Sequence, residues 1–100
     1  MDRVERRGWM NSEVIEENGR FYIGDPEHPK AYLAFEHEGD TMTITSTVVD
    51  PNERNQGLGT ELVDYAVNYA RKHKLNIDPV CSFAREIIKE TPEYHVVWNG

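Results

Sequence analysis

The chain has 100 residues, a net charge of −7 and 38% hydrophobic residues, so it can build one domain with a modest core and not two. The acidic balance argues against nucleic acid and anionic lipid as partners, and no apolar run is long enough to span a membrane or to form a signal peptide. The single cysteine, Cys81, cannot form an internal disulfide, so we expect a soluble cytoplasmic protein. Residues 1–11 show no clear period, and we predict an extension of uncertain order there, followed by one domain at 12–100.

The first half of the chain predicts an antiparallel meander of four strands. Asn18-Gly19 favours the tight turn of a β-hairpin because both residues tolerate a positive φ. Two prolines mark 25–29 as a loop, and Gly39-Asp40 predicts a further turn. The strands that these turns separate are predicted at 14–15, 21–23, 31–38 and 42–48.

A helix and a parallel strand are predicted next. Six apolar residues recur at helical spacing and form one stripe: Leu58, Leu62, Val63, Ala66, Val67 and Ala70. Residues 75–80 then form a strand pattern, and a strand–helix–strand order predicts parallel pairing with the strand that precedes the helix. Pro79 has no backbone N–H to donate, so we expect the pairing of this strand to fail there.

The last quarter of the chain predicts a second helix and a short terminal strand. Ser82 is a plausible cap for a helix over 83–90, and Pro92 ends it. Residues 94–98 resemble a strand. The inner side of the second helix is predicted to carry Phe83, Ile87 and Ile88. Together, these elements predict an α/β domain with a mixed, mainly antiparallel sheet, flanked by two helices and shortened at its C-terminal end.

The run Arg54-Asn55-Gln56-Gly57-Leu58-Gly59 joins the fourth strand to the long helix and carries the clearest functional signal. Two glycines at this junction leave the first helical amides uncrowded by side chains. Those amides and the positive end of the helix dipole form a site that suits a phosphate or pyrophosphate. Arg54 can add a fixed positive charge beside this phosphate site. The alternative explanation for Gly57 is that it only permits a tight turn.

Two other phosphate-binding motifs differ from this run. A P-loop requires a lysine directly after the last glycine, and Thr60 occupies that position here. A dinucleotide fingerprint requires a third glycine where Leu62 stands, although Asp78 lies at a plausible distance for a ribose contact. Four antiparallel strands before the motif leave no room for a doubly wound fold, so the order of elements favours neither motif.

The order of meander, Arg-x-x-Gly-x-Gly, helix, splayed strand and helix resembles the acetyl-CoA-binding half of the GNAT superfamily of N-acetyltransferases. Within it, the chain is similar to small, single-cysteine proteins that carry a Cys-Ser/Pro-Phe motif and a Pro-Glu-Tyr near the end. The match covers roughly Phe21 to Tyr94, and its motifs agree in order and spacing. The matching segments are 54–59, 62–71, Pro79-Val80-Cys81-Ser82-Phe83 and Thr91-Pro92-Glu93-Tyr94.

The resemblance implies acetyl-CoA or CoA as the cofactor, with its pyrophosphate on the amides of Gln56 to Thr60. It implies that the pantetheine arm runs beside Val48 and Val49, where two parallel strands diverge, and that a backbone amide there stabilises the developing oxyanion. Pro79 weakens strand pairing where such a gap has to open. The residues assigned to the cofactor on this basis are Val48, Val49, Arg54, Asn55, Gln56, Gly57, Leu58, Gly59, Thr60, Cys81 and Phe83.

Three further side chains bear on catalysis. Cys81 stands between a strand and a helix, where a thiol can have a lowered pKa and carry the acetyl group as a nucleophile, or can simply line the cofactor slot. Tyr94 can protonate the departing CoA thiolate or pack the terminal segment onto the sheet. Members of the small group often have a histidine on the strand before the loop, whereas this chain has Ser46, so a role for that histidine cannot be transferred.

Two functional hypotheses follow. The first is an N-acetyltransferase that moves an acetyl group from acetyl-CoA to a primary amine on a small molecule or a protein. The second is a CoA-binding module with little or no catalysis, which the shortness of the chain and the serine at position 46 favour. No histidines and cysteine have the spacing of metal ligands, so we predict no metal site.

Overall fold

The computed structural model describes residues 14–53 and 57–98. The predicted extension at 1–11 and the loop residues Arg54, Asn55 and Gln56 lie outside these ranges. The strands are β1 (Val14–Glu17), β2 (Arg20–Gly24), β3 (Pro29–Glu38), β4 (Thr41–Val49) and β5 (Asn76–Pro79). The helices are α1 (Leu58–His73) and α2 (Ser82–Glu90), with 3₁₀ turns at Pro51–Glu53 and Pro92–Val97.

The five strands form one sheet in the order β1-β2-β3-β4-β5. The first four are antiparallel neighbours, which confirms the predicted meander, and β5 pairs with β4 in parallel. The β1–β2 turn places Asn18 at φ 54° and Gly19 at φ 83°, as the Asn-Gly pair predicts. The sheet is therefore mixed and mainly antiparallel, in agreement with the expected fold class.

One face of the sheet carries the hydrophobic core. Cross-strand partners share a face, and the register pairs Phe21 with Leu33, Phe35 with Ile44, and Met42 with Ile77. All six residues are buried. Every residue of the predicted helical stripe is also buried and belongs to the same core cluster. The stripe therefore positions α1 on this face, and burial of these side chains is the main stabilising contribution to the fold.

A bulge in β4 and the short length of β5 open a gap in the sheet. Ala34 pairs with Ser46 but Phe35 pairs with Ile44, so Thr45 is an extra residue in β4. Pairing between β4 and β5 ends where Ile44 meets Pro79, which confirms the predicted loss of pairing at this proline. The second half of β4 thus has a described strand partner on the β3 side and a gap on the β5 side.

The start of α2 differs from the prediction. Cys81, not Ser82, is the N-cap residue, with φ −68° and ψ 124°, and it makes no side-chain capping bond. The amide of Cys81 donates to the Ile44 carbonyl at 3.0 Å, which holds Cys81 in an extended conformation against the sheet. The helix can therefore begin only at the next residue. Its buried residues are Ala84 and Ile88, while Phe83 is 43% exposed, so the predicted inward position of Phe83 is wrong.

The terminal segment is a 3₁₀ turn over Pro92–Val97, so the strand predicted at 94–98 is wrong except at one residue. Pro92 stands in the first turn, where its fixed φ favours helical geometry, and the amide of Tyr94 donates to the carbonyl of Thr91 at 2.8 Å. Only Trp98 forms a bridge, in parallel with Ile77. Local turn chemistry thus outweighs the β propensity of the aromatic and β-branched residues here.

Candidate functional site

A cleft of about 460 Å³ lies where the gap beside β4 meets the head of α1. Its described lining comes from β4, from both ends of the loop that follows it, from the first turn of α1 and from α2. The lining residues are Thr47, Val49, Glu53, Gly57, Leu58, Gly59, Thr60 and Phe83. Six of the residues predicted to contact a cofactor, Val49, Gly57 to Thr60 and Phe83, are thus brought together at one site.

The head of α1 presents uncapped amides to this cleft. Gly57 is the N-cap residue in the left-handed conformation, with φ 73° and ψ 19°, and it has no side chain that could cap the helix. The first helical bond runs from the amide of Glu61 to the Gly57 carbonyl at 2.9 Å. The amides of Leu58, Gly59 and Thr60 therefore have no acceptor within the helix and suit an anionic ligand.

The bulge decides which residues of β4 face the cleft. After Thr45, the side chains of Thr47 and Val49 lie on the core face, because they pair with Leu33 and Ala31. Val48 pairs with Tyr32 on the opposite face and is not among the lining residues, so its predicted cofactor contact stays a prediction. Thr47 was missed by sequence reasoning, since an alternating β-branched run gives no sign of an inserted residue.

Backbone direction identifies the amide that faces the gap. The amide of Asp50 donates to the Lys30 carbonyl of β3 at 2.8 Å. Successive amides along a strand point to opposite sides, so the amide of Val49 points away from β3 and toward the gap. Val49 is thus the member of the predicted Val48-Val49 pair whose backbone N–H is directed to the site.

Cys81 adjoins the cleft through Thr47 and Phe83, both of which line it. Its thiol donates to Thr47 Oγ1 at 3.6 Å. Partial burial raises the pKa of the thiol, but the nearby backbone amides of Ala84 and Phe83 and the side chain and backbone of Thr47 favour the thiolate and outweigh this effect. The net result is that the pKa of Cys81 is lowered. The surroundings of the sulfur therefore favour its thiolate form.

Tyr94 lies away from the cleft and contacts α1. Its hydroxyl donates to Asp64 Oδ1 at 2.7 Å, which links the terminal 3₁₀ turn to the helix. Burial and this bond to a carboxylate raise the pKa of Tyr94 above its ordinary value. Both observations favour the packing role that the sequence left open for Tyr94 over the role of proton donor.

One charged side chain lines the described part of the cleft. This side chain is Glu53, which sequence reasoning missed although it directly precedes the Arg54–Gly59 run. Arg54, predicted to supply positive charge, lies outside the described residues together with Asn55 and Gln56. Across the two described ranges, no three His, Cys, Asp or Glu side chains cluster as ligands for a metal ion. No helix in these ranges is long and apolar enough to cross a membrane.

Comparison with protein families decides the classification. The profile of the GCN5-related N-acetyltransferase family matches residues 20–97, more than three quarters of the chain. The chain belongs to this family. The acyltransferase family and its fold were thus correctly predicted, from the loop motif and the order of elements around it. A search of functionally curated proteins finds no significant match.

Solved structures agree with this assignment. A protein from Staphylococcus aureus, assigned as a GCN5-like N-acetyltransferase, is similar over 90% of both chains, with 29% identity and a TM-score of 0.77. The ribosomal-protein-S18-alanine N-acetyltransferase of Escherichia coli matches 77% of this chain and 48% of its own, with 17% identity and a TM-score of 0.53. A predicted acetyltransferase from Clostridium acetobutylicum, solved with acetyl-CoA, matches 71% and 54%, with 20% identity and a TM-score of 0.51. The chain spans about half the length of the last two, which share the fold.

Proposed function

We propose that the protein is an N-acetyltransferase that transfers an acetyl group from acetyl-CoA to a primary amine. Family membership supports acyl transfer in general. The observation that carries the finer proposal is the cleft itself, in which uncapped helix amides meet the half of β4 that has no partner on its β5 side. Its volume lies within the range of about 300–1,000 Å³ that is usual for small-molecule sites.

The residues of the cleft fit the two chemical ends of this cofactor. The amides of Leu58, Gly59 and Thr60 would hold the diphosphate, with Arg54 beside them. Val49 and Phe83 offer apolar surface to the pantetheine arm. When bound, acetyl-CoA supplies the acetyl group as a thioester. The amide of Val49, directed into the gap, would donate to the carbonyl oxygen as negative charge develops on it.

A second candidate function is a CoA-binding module with little catalysis. One observation favours it: Glu53 is the only acid or base side chain in the described lining of the cleft, and no histidine is among them. Ser46, which stands where related proteins often carry histidine, pairs with Ala34 on the face opposite the core. Turnover would therefore depend on Glu53 as the proton acceptor or on an amine that is already neutral when it reaches the thioester.

Calorimetry with acetyl-CoA and CoA tests binding, and a thiol-release assay over polyamines, amino acids and lysine peptides tests turnover. We expect binding of both ligands and thiol release with at least one class of amine. Binding without thiol release across the panel would favour the CoA-binding module. Failure of the wild-type protein to bind either ligand would overturn both functions.

A matched pair of substitutions localises the site. Val49→Phe fills the cleft and should weaken CoA binding at least tenfold. Val96→Phe makes the same change on the terminal 3₁₀ turn, where Val96 is 70% exposed, and should leave the affinity unchanged. Thermal unfolding of both variants verifies that they are folded. Equal loss of affinity in the two variants would contradict the assignment of the cleft.

Cys81→Ala decides between the two roles of the thiol. Direct transfer from the thioester to the amine predicts that this variant retains most of its activity. A route through an acetyl-cysteine requires the sulfur to attack the acetyl carbon and the CoA thiolate to leave, so it predicts that activity is lost. Mass spectrometry of the wild-type protein with acetyl-CoA, but without amine, would detect an acetyl group on Cys81 only in the second case.

A further inference from the structure

The two glycines at the head of α1 are required for different reasons. Gly57 has a positive φ of 73°, and a Cβ atom added there would meet nothing within 4 Å, so its role is conformational. Gly59 does not have a positive φ. A Cβ atom at Gly59 would instead lie 2.8 Å from Cε2 and from Cζ of the Phe83 ring. Steric contact with the Phe83 ring, not backbone conformation, therefore opposes a side chain at position 59.

The Phe83 ring bridges the two helices that flank the cleft. It projects from the first turn of α2 onto the first turn of α1, and the same Cβ position at Gly59 would be 3.4 Å from Val49 Cγ2. Gly59, Val49 and Phe83 all line the cleft. The atoms nearest to Gly59 are at the far end of the Phe83 side chain, so the ring would move before the backbone did. Phe83 is 43% exposed and borders the cleft, so the cleft is open space into which the ring can move.

We propose that Gly59 is a positioning residue for Phe83: the missing Cβ lets the ring lie against the head of α1, which keeps the cleft open and turns the ring into one of its walls. This inference rests on the proposed function, because it assigns that wall to the pantetheine arm of CoA. An alanine at position 59 would displace the ring toward the cleft and obstruct the arm. The alternative explanation is that the glycine allows a diphosphate to approach the backbone closely, whatever residue stands at position 83.

A double-mutant cycle distinguishes these explanations. CoA affinity is measured by calorimetry for Gly59→Ala, for Phe83→Ala and for the double variant. We expect Gly59→Ala to weaken binding at least tenfold in the wild-type background. In the Phe83→Ala background, we expect it to change the affinity less than twofold. An equal loss in both backgrounds would overturn the proposal and favour close approach of the diphosphate. Gly39→Ala, in the β3–β4 turn at the other end of β4, is the control and should retain the wild-type affinity.

A second readout needs no ligand. The chain has three phenylalanines, so the ring resonances of Phe83 can be assigned by their loss in Phe83→Ala. We expect these resonances to shift in Gly59→Ala, and unchanged resonances would overturn the proposal. If Gly59→Ala does not fold, recovery of the fold in the double variant would support the steric contact, and failure of both to fold would refute it. Absence of CoA binding to the wild-type protein would refute the proposed function and leave this steric test in force.

Discussion

The contact between Tyr94 and Asp64 yields a prediction that separates a structural role from a catalytic one. The two residues are 30 positions apart, and their bond of 2.7 Å links the terminal 3₁₀ turn to the middle of α1. Tyr94→Phe removes the hydroxyl and retains the ring, which packs against the core. Asp64 keeps a weaker partner in Asn68, whose side-chain amide lies 3.4 Å away. The substitution therefore deletes one hydrogen bond and leaves the packing in place.

The expected loss of stability follows from the charge and burial of the pair. A hydrogen bond to an ionised group contributes about 1.5–3 kcal/mol. Both side chains are half-buried, so we expect the lower end of this range, about 1.5 kcal/mol. For a domain of this size, each kcal/mol lowers the melting temperature by roughly 4–8 °C, which gives a decrease of roughly 6–12 °C. Because Tyr94 does not line the cleft, CoA affinity and any acetyl transfer should stay at wild-type levels.

Urea unfolding of Tyr94→Phe, Asp64→Ala and the double variant measures the interaction directly. We expect a coupling free energy of about 1 kcal/mol or more, and the cycle cancels the contact with Asn68, which Asp64→Ala and the double variant both remove. Wild-type stability in Tyr94→Phe would refute the structural role. A fall in turnover of about a hundredfold with unchanged stability would instead assign proton donation to Tyr94.

Three further predictions rest on single observations. Because Gly57 has a left-handed φ, Gly57→Ala should destabilise the fold by about 1–2 kcal/mol in chemical unfolding. Gly57→Asn should destabilise it less, since asparagine tolerates that region. Equal losses of stability in the two variants would contradict a purely conformational role. The alkylation rate of Cys81 by iodoacetamide should reach its midpoint below the pH typical of a free cysteine. Thr47→Val should raise that midpoint, because the hydroxyl that accepts from the thiol can donate to the thiolate. No shift in Thr47→Val would exclude the hydroxyl as a cause. Because the pKa of Tyr94 is raised in the folded protein, the unfolded chain loses the hydroxyl proton first as pH rises. The contribution of this hydroxyl to stability is therefore present below about pH 10 and is lost above it. Between pH 8 and 11 the wild type should lose more stability than Tyr94→Phe, and parallel stability curves for the two proteins would rule out this linkage.

The elements that local chemistry determines were predictable from the sequence. The Asn18-Gly19 turn needs two residues that tolerate positive φ, and no other pair nearby offers this. The stripe from Leu58 to Ala70 has a single period, so both the helix and its buried face follow from it. The same holds for Pro79, whose missing N–H limits β5 wherever the strand lies in the sheet.

The elements that depend on tertiary pairing were not predictable in this way. Serine is the better helix cap by composition, but the bond from the Cys81 amide to Ile44 transfers that position to Cys81. The inner side of α2 carries Ala84 and the predicted Ile88, whereas Phe83 contacts the head of α1 and borders the cleft. Ile44, which holds Cys81, and Gly59, which Phe83 contacts, are both far away in the sequence. No local pattern could therefore have revealed the position of the cap or of the Phe83 ring.

The bulge at Thr45 decides the chemistry of the cleft more than any motif does. In a regular strand that continued from Ile44, Ser46 and Val48 would face the helices, because side chains alternate with a period of two. The extra residue, whose hydroxyl donates to the Ala34 carbonyl at 3.2 Å, exchanges them for Thr47 and Val49. The same shift directs the Val49 amide into the gap that Pro79 leaves open. A hydroxyl beside the thiol and an N–H directed into the gap therefore reach the cleft together, through one inserted residue that lies outside the glycine motif.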